Sequence, residues 1–245
     1  MDDSKIIPGN ISLPAITKKI AIQENGVPRT SLGSGARGVP GNAWHSRGYL
    51  PHFESSEAIQ HVMFHLADSL PQTDLRRLEA ELKSLPAGQR DTERRRRLDA
   101  WIDAGHGSCA LRNPSIAAMV QQTLLIFDSE RYRLIAWVIM PNHVHVLFQP
   151  INGWTVHKVV AAWKKFTARK ICDARRANNQ TSRARVWHRE YWDRIIRDPK
   201  HFDKTLQYIH QNPVKARLVA VPENWPWSSA FPGNANLPIG GFPAR

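Results

Sequence analysis

Cysteine, acidic side chains and long apolar runs are all scarce in this chain of 245 residues. The two cysteines, Cys109 and Cys172, are too few for a disulfide framework, which favours a reducing compartment. The longest apolar stretch, residues 134–140, is far too short to span a membrane. The acidic start of the chain lacks the apolar segment of a secretory signal. We therefore expect a soluble protein of the cytoplasm that does not act at a membrane.

The shortage of acidic residues leaves a large excess of positive charge. The chain has 34 Lys and Arg against 21 Asp and Glu, a net charge of +13 and an isoelectric point near 10.3. Residues 155–220 hold sixteen basic and five acidic residues, and therefore most of this excess. Aromatic residues such as Trp163, Phe166 and Trp187 lie among them. Basic side chains mixed with stacking rings favour a nucleic-acid surface, and a solvated basic face over a core of aromatics is the alternative.

The composition divides the chain into three parts. Residues 1–42 are rich in proline, glycine and serine and show no sustained period, which predicts a flexible arm. Apolar periodicity over residues 43–230 predicts one domain with a helical insertion at about 70–112, and residues 231–245 form a tail. The insertion contains two helices, at 73–85 and 89–103, which we expect to lie on the surface.

The remaining elements follow one another in an order that specifies a fold. They are a strand in 58–68, a helix from Asn113-Pro114 to about 127, a hairpin of strands 131–140 and 142–149, a helix over 155–174, a strand over 186–196, and a helix from Asp198 that ends near Asn212-Pro213. This order predicts an α+β fold with a ferredoxin-like split β-α-β arrangement, in which two helices cover one face of an antiparallel sheet.

Two histidines on the second hairpin strand are candidate metal ligands. His143 and His145 are two residues apart, so a strand points both imidazoles to the same face. Two imidazoles on one face can share a divalent ion. Two partly buried histidines that form only hydrogen bonds are an equally good interpretation of this pattern.

The last helix contributes two further candidates, Tyr208 and Asn212. They are four residues apart and therefore share one helical face. The amide oxygen of Asn212 suits a hard divalent ion as a third ligand. The phenol of Tyr208 is a nucleophile only if a cation or a base assists it. Tyr208 as an ordinary core aromatic beside Leu206 and Ile209 remains open, because spacing alone does not show that this helix meets the hairpin.

These segments carry a resemblance to a known family. Residues 140–148 (MPNHVHVLF) resemble the signature strand of the single-tyrosine HUH transposases, and residues 208–215 (YIHQNPVK) resemble their tyrosine helix. Residues 47–53, 187–197 and 225–229 are similar to elements of one subgroup, the REP-associated tyrosine transposases. The resemblance covers about residues 44–230, and the two main blocks occur in the correct order.

The resemblance implies a role for each candidate. His143 and His145 would be ligands of Mg²⁺ or Mn²⁺, and Tyr208 would be the nucleophile. Asn212 falls at the third ligand, where the family sometimes has the longer glutamine. The implied activity is metal-dependent cleavage and transfer of single-stranded DNA through a 5′-phosphotyrosyl intermediate, on palindromic REP-like hairpins. No organic cofactor is expected, and the protein would act at the bacterial nucleoid as a monomer or homodimer.

Candidate DNA contacts lie on the helix over 155–174 and near the start of the domain. Phosphate contacts are expected from Lys158, Lys164, Lys165, Arg169 and Lys170. Arg47 and Tyr49 are expected to contact bases that flank the hairpin.

Two other functions remain open. A domesticated relative could bind palindromic DNA without cutting it. An unrelated metal-dependent hydrolase could use the H-x-H strand, but it would require a further acidic or histidine ligand, and the hairpin over 131–150 offers none.

Overall fold

The computed structural model describes residues 43–46, 51–54, 58–177, 179 and 184–234. The predicted arm over 1–42 lies outside these residues, as do Arg47, Tyr49 and most of the predicted tail.

The described residues form six strands and five α-helices. In chain order these are β1 Ala43–Ser46, β2 Pro51–Glu54, β3 Gln60–His65, α1 Gln72–Leu82, α2 Ala87–Asp103, α3 Pro114–Leu125, β4 Tyr132–Ile139, β5 His143–Pro150, α4 Val156–Ala177, β6 Trp192–Ile195 and α5 Pro199–Lys215. None of the helices in this part of the chain is both long enough and apolar enough to cross a membrane.

Four strands make an antiparallel sheet in the order β4-β5-β3-β6, and β1 and β2 pair separately. In β3, Met63 lies opposite His145 of β5, and His65 lies opposite His143. This strand order, with α3 and α4 as the two crossover helices, is that of a ferredoxin-like split β-α-β unit. The predicted fold class is therefore confirmed.

Both faces of the sheet are covered by helices, so successive residues of β5 are buried on opposite sides. Val144, Val146 and Phe148 belong to the core that also contains residues of α3 and α4. The Phe148 ring lies 5.0 Å from the ring of Trp163 on α4. Leu147 belongs to a second core with Ile209 of α5. Alternation therefore places His143 and His145 on the α5 side of the sheet.

The α1–α2 insertion is not the surface feature that we expected. Leu78, Leu82 and Ile102 are almost fully buried and form a cluster with Met63 of β3. The Met63 side chain lies on the face of β3 that contacts the apolar side of α1 and α2, so these two helices cover part of the sheet. The opposite side of the insertion is a solvated charged face on which arginines pair with Glu79, Glu81 and Glu93.

The strand predicted over 186–196 is shorter than expected. Only Trp192–Ile195 pairs as β6, and the preceding chain makes a single bridge between Trp187 and Leu66. Lys164 Nζ donates hydrogen bonds to the carbonyl oxygens of His188, Arg189 and Glu190, at 2.7, 2.9 and 3.4 Å. Because these three carbonyls bind an ammonium group, they are not available for the hydrogen bonds of a regular β-sheet, which explains why residues 188–190 do not form a strand.

Helix α5 begins as predicted but ends later. Pro199 is its first residue, and the Asp198 carboxylate accepts a hydrogen bond from the backbone N–H of His201 at 2.7 Å. The helix continues through Pro213 and ends at Lys215, two residues after the predicted end near Asn212-Pro213. Pro213 lies in the last turn, where it removes one hydrogen bond. Bonding resumes when Ala216 N–H donates to the Asn212 carbonyl at 3.0 Å.

A buried hydrogen-bond pair between α3, β4 and α4 supports the larger core. Tyr132 Oη donates to the Leu124 carbonyl at 2.8 Å and accepts from Trp163 Nε1 at 3.0 Å. We expect Tyr132→Phe to lower the free energy of unfolding by about 1–3 kcal/mol, since it leaves two buried polar groups unpaired. Urea unfolding measures this, and Tyr132→Phe with Trp163→Phe should cost less than the sum of the single changes. A loss below about 0.5 kcal/mol for Tyr132→Phe would contradict this role.

Candidate metal centre and catalytic tyrosine

His143 and His145 occupy the centre of the sheet face that α5 covers. Their side chains are buried, with ring centroids 4.9 Å apart and ring planes nearly perpendicular. They come from adjacent same-face positions of β5, as the spacing predicted. Their closeness therefore follows directly from strand geometry.

Helix α5 brings Tyr208 and Asn212 to the two histidines. Ile209 anchors the helix in the core with Leu147, and this presents the neighbouring helical face to the sheet. Asn212 Nδ2 lies 3.3 Å from His145 Nε2. The Tyr208 ring packs edge-on to the His145 ring, with centroids 5.3 Å apart. Helix and hairpin therefore meet, which the sequence spacing could not establish.

Hydrogen bonds on the far side of each imidazole determine which nitrogen faces the cluster. Asn142 Nδ2 donates to the carbonyls of Ile102 and His106, at 3.0 and 3.1 Å, and this fixes the orientation of the amide. The Asn142 Oδ1 atom lies 2.8 Å from His143 Nδ1 and can only accept, so His143 carries its proton on Nδ1 and donates this hydrogen bond. The lone pair of His143 is therefore on Nε2, on the side of the cluster.

His145 is oriented in the same way by His61 of β3. His145 Nε2 accepts from the Asn212 amide, so its proton is on Nδ1, 3.0 Å from His61 Nε2. The two imidazoles stack with centroids 5.1 Å apart. Sequence reasoning missed His61 because its contact with His145 depends on the pairing of β3 with β5. Both histidines thus present Nε2 to the same space.

A carboxylate from the insertion completes this cluster. Asp103, the last residue of α2, places Oδ1 3.5 Å from His143 Nε2. Three possible ligand atoms lie within 4.8 Å of one another, one each from Asp103, His143 and His145, so these residues could hold a metal ion. Asp103 was also missed, since no periodicity or motif connects the end of α2 to a strand forty residues later.

Burial keeps the cluster in the protonation state that a metal requires. Removal from water lowers the pKa of His143 to about 3, and nearby His65 lowers it further. Burial also holds the pKa of His145 well below its usual value. Both imidazoles are therefore neutral at pH 7, the protonation state in which an imidazole can coordinate a metal.

The phenol of Tyr208 is protonated at neutral pH. Burial raises its pKa above the usual value of a phenol, and the negative charges of Asp103 and Asp99 raise it further. A side-chain hydrogen bond with Asn212 acts in the opposite direction and lowers this pKa. Ionisation of Tyr208 therefore needs additional positive charge close by.

Two buried atoms of the cluster fit a divalent cation. Within the described part of the chain, His143 Nε2 and Asn212 Oδ1 are inaccessible to solvent and have no hydrogen-bond partner. Unpaired buried polar atoms are costly, and both of these are neutral lone-pair donors. A nitrogen donor, an amide oxygen and a carboxylate within one small space suit a borderline or hard divalent ion.

A cleft of about 370 Å³ leads to the cluster. Its wall includes Tyr208, His145, His61 and the indole ring of Trp192. Two basic residues, Arg194 and Lys204, and two acidic residues, Asp99 and Asp193, also line it. Arg194 and Lys204 could contact phosphates there, and the Trp192 ring offers a surface on which an unpaired base could stack.

The predicted phosphate contacts on α4 lie away from this cleft. Helix α4 packs on the opposite face of the sheet, so the structure does not bring its basic residues to Tyr208. Four of these residues are exposed, together with the half-exposed Phe166: Lys158, Lys165, Arg169 and Lys170. Lys164 instead binds the three carbonyls described above. Contacts to DNA from α4, and from Arg47 and Tyr49 outside the described residues, stay predictions.

Comparison with known proteins agrees with this geometry. Residues 114–212 match the sequence model of the family described as IS200-like transposases, and this range includes His143, His145, Tyr208 and Asn212. This segment is therefore similar to the IS200-like transposases. Individual relatives and solved structures provide the other comparisons.

Two curated relatives confirm the resemblance to REP-associated tyrosine transposases. A protein of that name from Haemophilus influenzae is 33% identical over 103 residues, which are 40% of this chain and 58% of the relative. One from Escherichia coli K12 is 26% identical over 112 residues, 45% of this chain and 62% of the relative. The match therefore spans less than two thirds of each relative.

Two solved structures show weaker similarity. A REP-associated tyrosine transposase bound to a REP hairpin aligns with a TM-score of 0.48 and 15% identity, over 80% of this chain and 92% of that one. A transposase from Deinococcus radiodurans aligns with a TM-score of 0.28 and 16% identity, over 69% of this chain and 96% of that one.

Buried neutral histidines make the stability of the fold depend on pH. Burial lowers the pKa of both His61 and His65 to about 4, whereas an unfolded histidine titrates near 6.5. The unfolded state therefore binds more protons below pH 6.5, and stability falls on acidification. We expect up to about 2 kcal/mol to be lost per buried histidine between pH 7 and pH 5.

Urea unfolding at the two pH values, with EDTA present, measures this loss. His65→Gln should lose less stability than the unmodified protein over the same interval, because it removes one of the titrating groups. Equal stability at pH 7 and pH 5 would contradict the expectation.

Proposed function

We propose that this protein is a metal-dependent enzyme that nicks single-stranded DNA and transfers the cut strand, with palindromic REP-like hairpins as its substrate. The observation that carries the proposal is that Tyr208 and Asn212 of α5 lie against the histidine pair of β5, beside a cleft lined in part by Arg194 and Lys204. The match to the IS200-like family over 114–212 supports it, as do the names of the two curated relatives.

The cluster supplies a site for a divalent cation beside the reacting group. His143, His145 and Asn212 would hold Mg²⁺ or Mn²⁺, since they contribute two imidazole nitrogens and one amide oxygen. Such an ion polarises a phosphate and neutralises the charge that develops in the transition state. No organic cofactor is part of this proposal.

Tyr208 would act as the nucleophile. Its Oη attacks the phosphorus and the phenolic proton passes to water. The bond from phosphorus to the 3′ oxygen of the preceding nucleotide breaks, and that oxygen takes up a proton from water. The products are a 5′-phosphotyrosyl link and a free 3′-hydroxyl. Because one phosphoester replaces another, a 3′-hydroxyl can attack the link and rejoin strands. Lys215, whose Nζ lies 4.5 Å from the centre of the Tyr208 ring, places a positive charge near the nucleophile.

Two surfaces would bind the DNA. The cleft beside Tyr208 combines Arg194, Lys204 and Trp192, which suit a single strand with unpaired bases. The exposed face of α4 carries Lys158, Lys165 and further basic residues, which suit the phosphates of a hairpin stem. These surfaces lie on opposite sides of the sheet, so the stem would have to reach around an edge of the domain to use both.

The unrelated hydrolase is the second candidate that an observation favours. That hypothesis required an acidic ligand that the hairpin lacked, and Asp103 brings a carboxylate to the histidines. A tyrosine packed against His145 and the family match favour transesterification instead. Multiple turnover with water and no protein–DNA adduct would favour the hydrolase.

Tyr208→Phe tests the nucleophile. A labelled single-stranded oligonucleotide with a REP-like hairpin should form a covalent adduct with the unmodified protein in Mn²⁺, and denaturing gels should detect none with Tyr208→Phe. Tyr191→Phe is the matched control, since Tyr191 belongs to the core on the other face of the sheet, and its adduct should persist. An adduct that survives Tyr208→Phe would eliminate this tyrosine.

Charge removal on α4 tests the stem surface. Lys158→Gln with Lys165→Gln should weaken hairpin binding about tenfold and reduce the salt dependence of binding by about two phosphate contacts. Arg76→Gln with Lys83→Gln is the matched control, because these residues are also exposed and seven apart, in and just after α1. Fluorescence anisotropy at several salt concentrations measures both, and equal effects of the two pairs would argue against α4.

A further inference from the structure

We propose that Asp103 is a fourth protein ligand of the metal centre, which makes the α1–α2 insertion part of that centre. This inference rests on the metal site of the proposed function and not on DNA cleavage by Tyr208. It gives a role to two helices that the sequence motifs leave unassigned.

The geometry places the carboxylate beside an atom that needs a partner. Asp103 Oδ1 lies 3.5 Å from His143 Nε2, a distance too long for a hydrogen bond. Nε2 carries the lone pair of that imidazole, because Nδ1 donates to Asn142. The carboxylate oxygen of Asp103 and Nε2 of His143 both carry lone pairs and no proton between them. A cation bound by both atoms is the most favourable way to hold them this close.

The backbone around Asp103 is fixed on both sides. Asn142 Nδ2 binds the carbonyl of Ile102, directly before Asp103, and the carbonyl of His106, shortly after it. The Ile102 side chain is 1% exposed within the cluster that contains Met63 of the sheet. The same asparagine that orients His143 therefore also positions the end of α2.

The charge of Asp103 changes what the site can hold. His143, His145 and Asn212 are neutral ligands, so without Asp103 the cluster would leave both charges of a divalent ion uncompensated by its ligands. Asp103 adds a negative charge and an oxygen donor. Carboxylate oxygen favours Mg²⁺ and Mn²⁺ among the metals that imidazole also binds. The insertion would thus tighten binding and shift preference toward hard ions.

Mn²⁺ titration followed by electron paramagnetic resonance tests this role on the full-length protein without DNA. Asp103→Asn should weaken Mn²⁺ binding roughly 10- to 100-fold, the range seen when a supporting group of a metal site is removed. Asp99→Asn is the matched control: it makes the same charge change one helical turn earlier, and Asp99 lines the cleft but is not in the cluster. It should weaken binding less than threefold.

Hydrogen exchange gives a second readout that is independent of activity. Mn²⁺ should slow amide exchange at the end of α2 in the unmodified protein and in Asp99→Asn, but not in Asp103→Asn. Asp103→Glu, which keeps the carboxylate, should retain part of the affinity, and this separates loss of a ligand from a folding defect.

The outcomes distinguish the two proposals. If Asp103→Asn binds Mn²⁺ as tightly as Asp99→Asn, the inference is wrong and the three-ligand site stands. If the unmodified protein does not bind Mn²⁺, both the inference and the metal site of the proposed function fail. Tyr208→Phe should bind Mn²⁺ normally, so a failure of cleavage alone leaves the role of Asp103 intact.

Discussion

The side chain and carbonyl of Asn142 hold together the elements on which the candidate centre depends. Its carbonyl accepts from Leu66 N–H at 2.8 Å and from Ser69 Oγ at 3.1 Å, where the chain leaves β3. Its amide nitrogen donates hydrogen bonds to carbonyls at and just after the end of α2, and its amide oxygen accepts a hydrogen bond from Nδ1–H of His143. Asn142 is 1% exposed, so each of these bonds forms away from water, where an unpaired partner would be costly.

The centre is built from four elements of the chain, and each contributes through a simple constraint. Strand alternation places both histidines of β5 on one face, and the pairing of β3 with β5 puts His61 behind His145. Helix α5 presents Tyr208 and Asn212 because Ile209 anchors the adjacent face. Helix α2 ends at Asp103 beside His143. The site is therefore a product of tertiary packing, although the conspicuous residues lie in two short motifs.

The sequence was informative where spacing alone determines position. Residues two apart on a strand and four apart on a helix share a face, so the pairs His143–His145 and Tyr208–Asn212 were predictable, as was the order of elements that specifies the ferredoxin-like sheet. The positions of Asp103 and His61 beside these histidines were not predictable, because each depends on contacts between segments distant in the chain. The same reason explains Lys164, whose ammonium group binds three carbonyls and shortens the strand predicted over 186–196.

Anomalous diffraction from crystals of Tyr208→Phe grown with Mn²⁺ tests the central claim most directly. The account predicts one Mn²⁺ ion on the α5 face of the sheet, about 2 Å from Nε2 of both His143 and His145 and from Oδ1 of Asn212 and Asp103. An ion bound elsewhere, or one held through the Nδ1 atoms that Asn142 and His61 occupy, would contradict it.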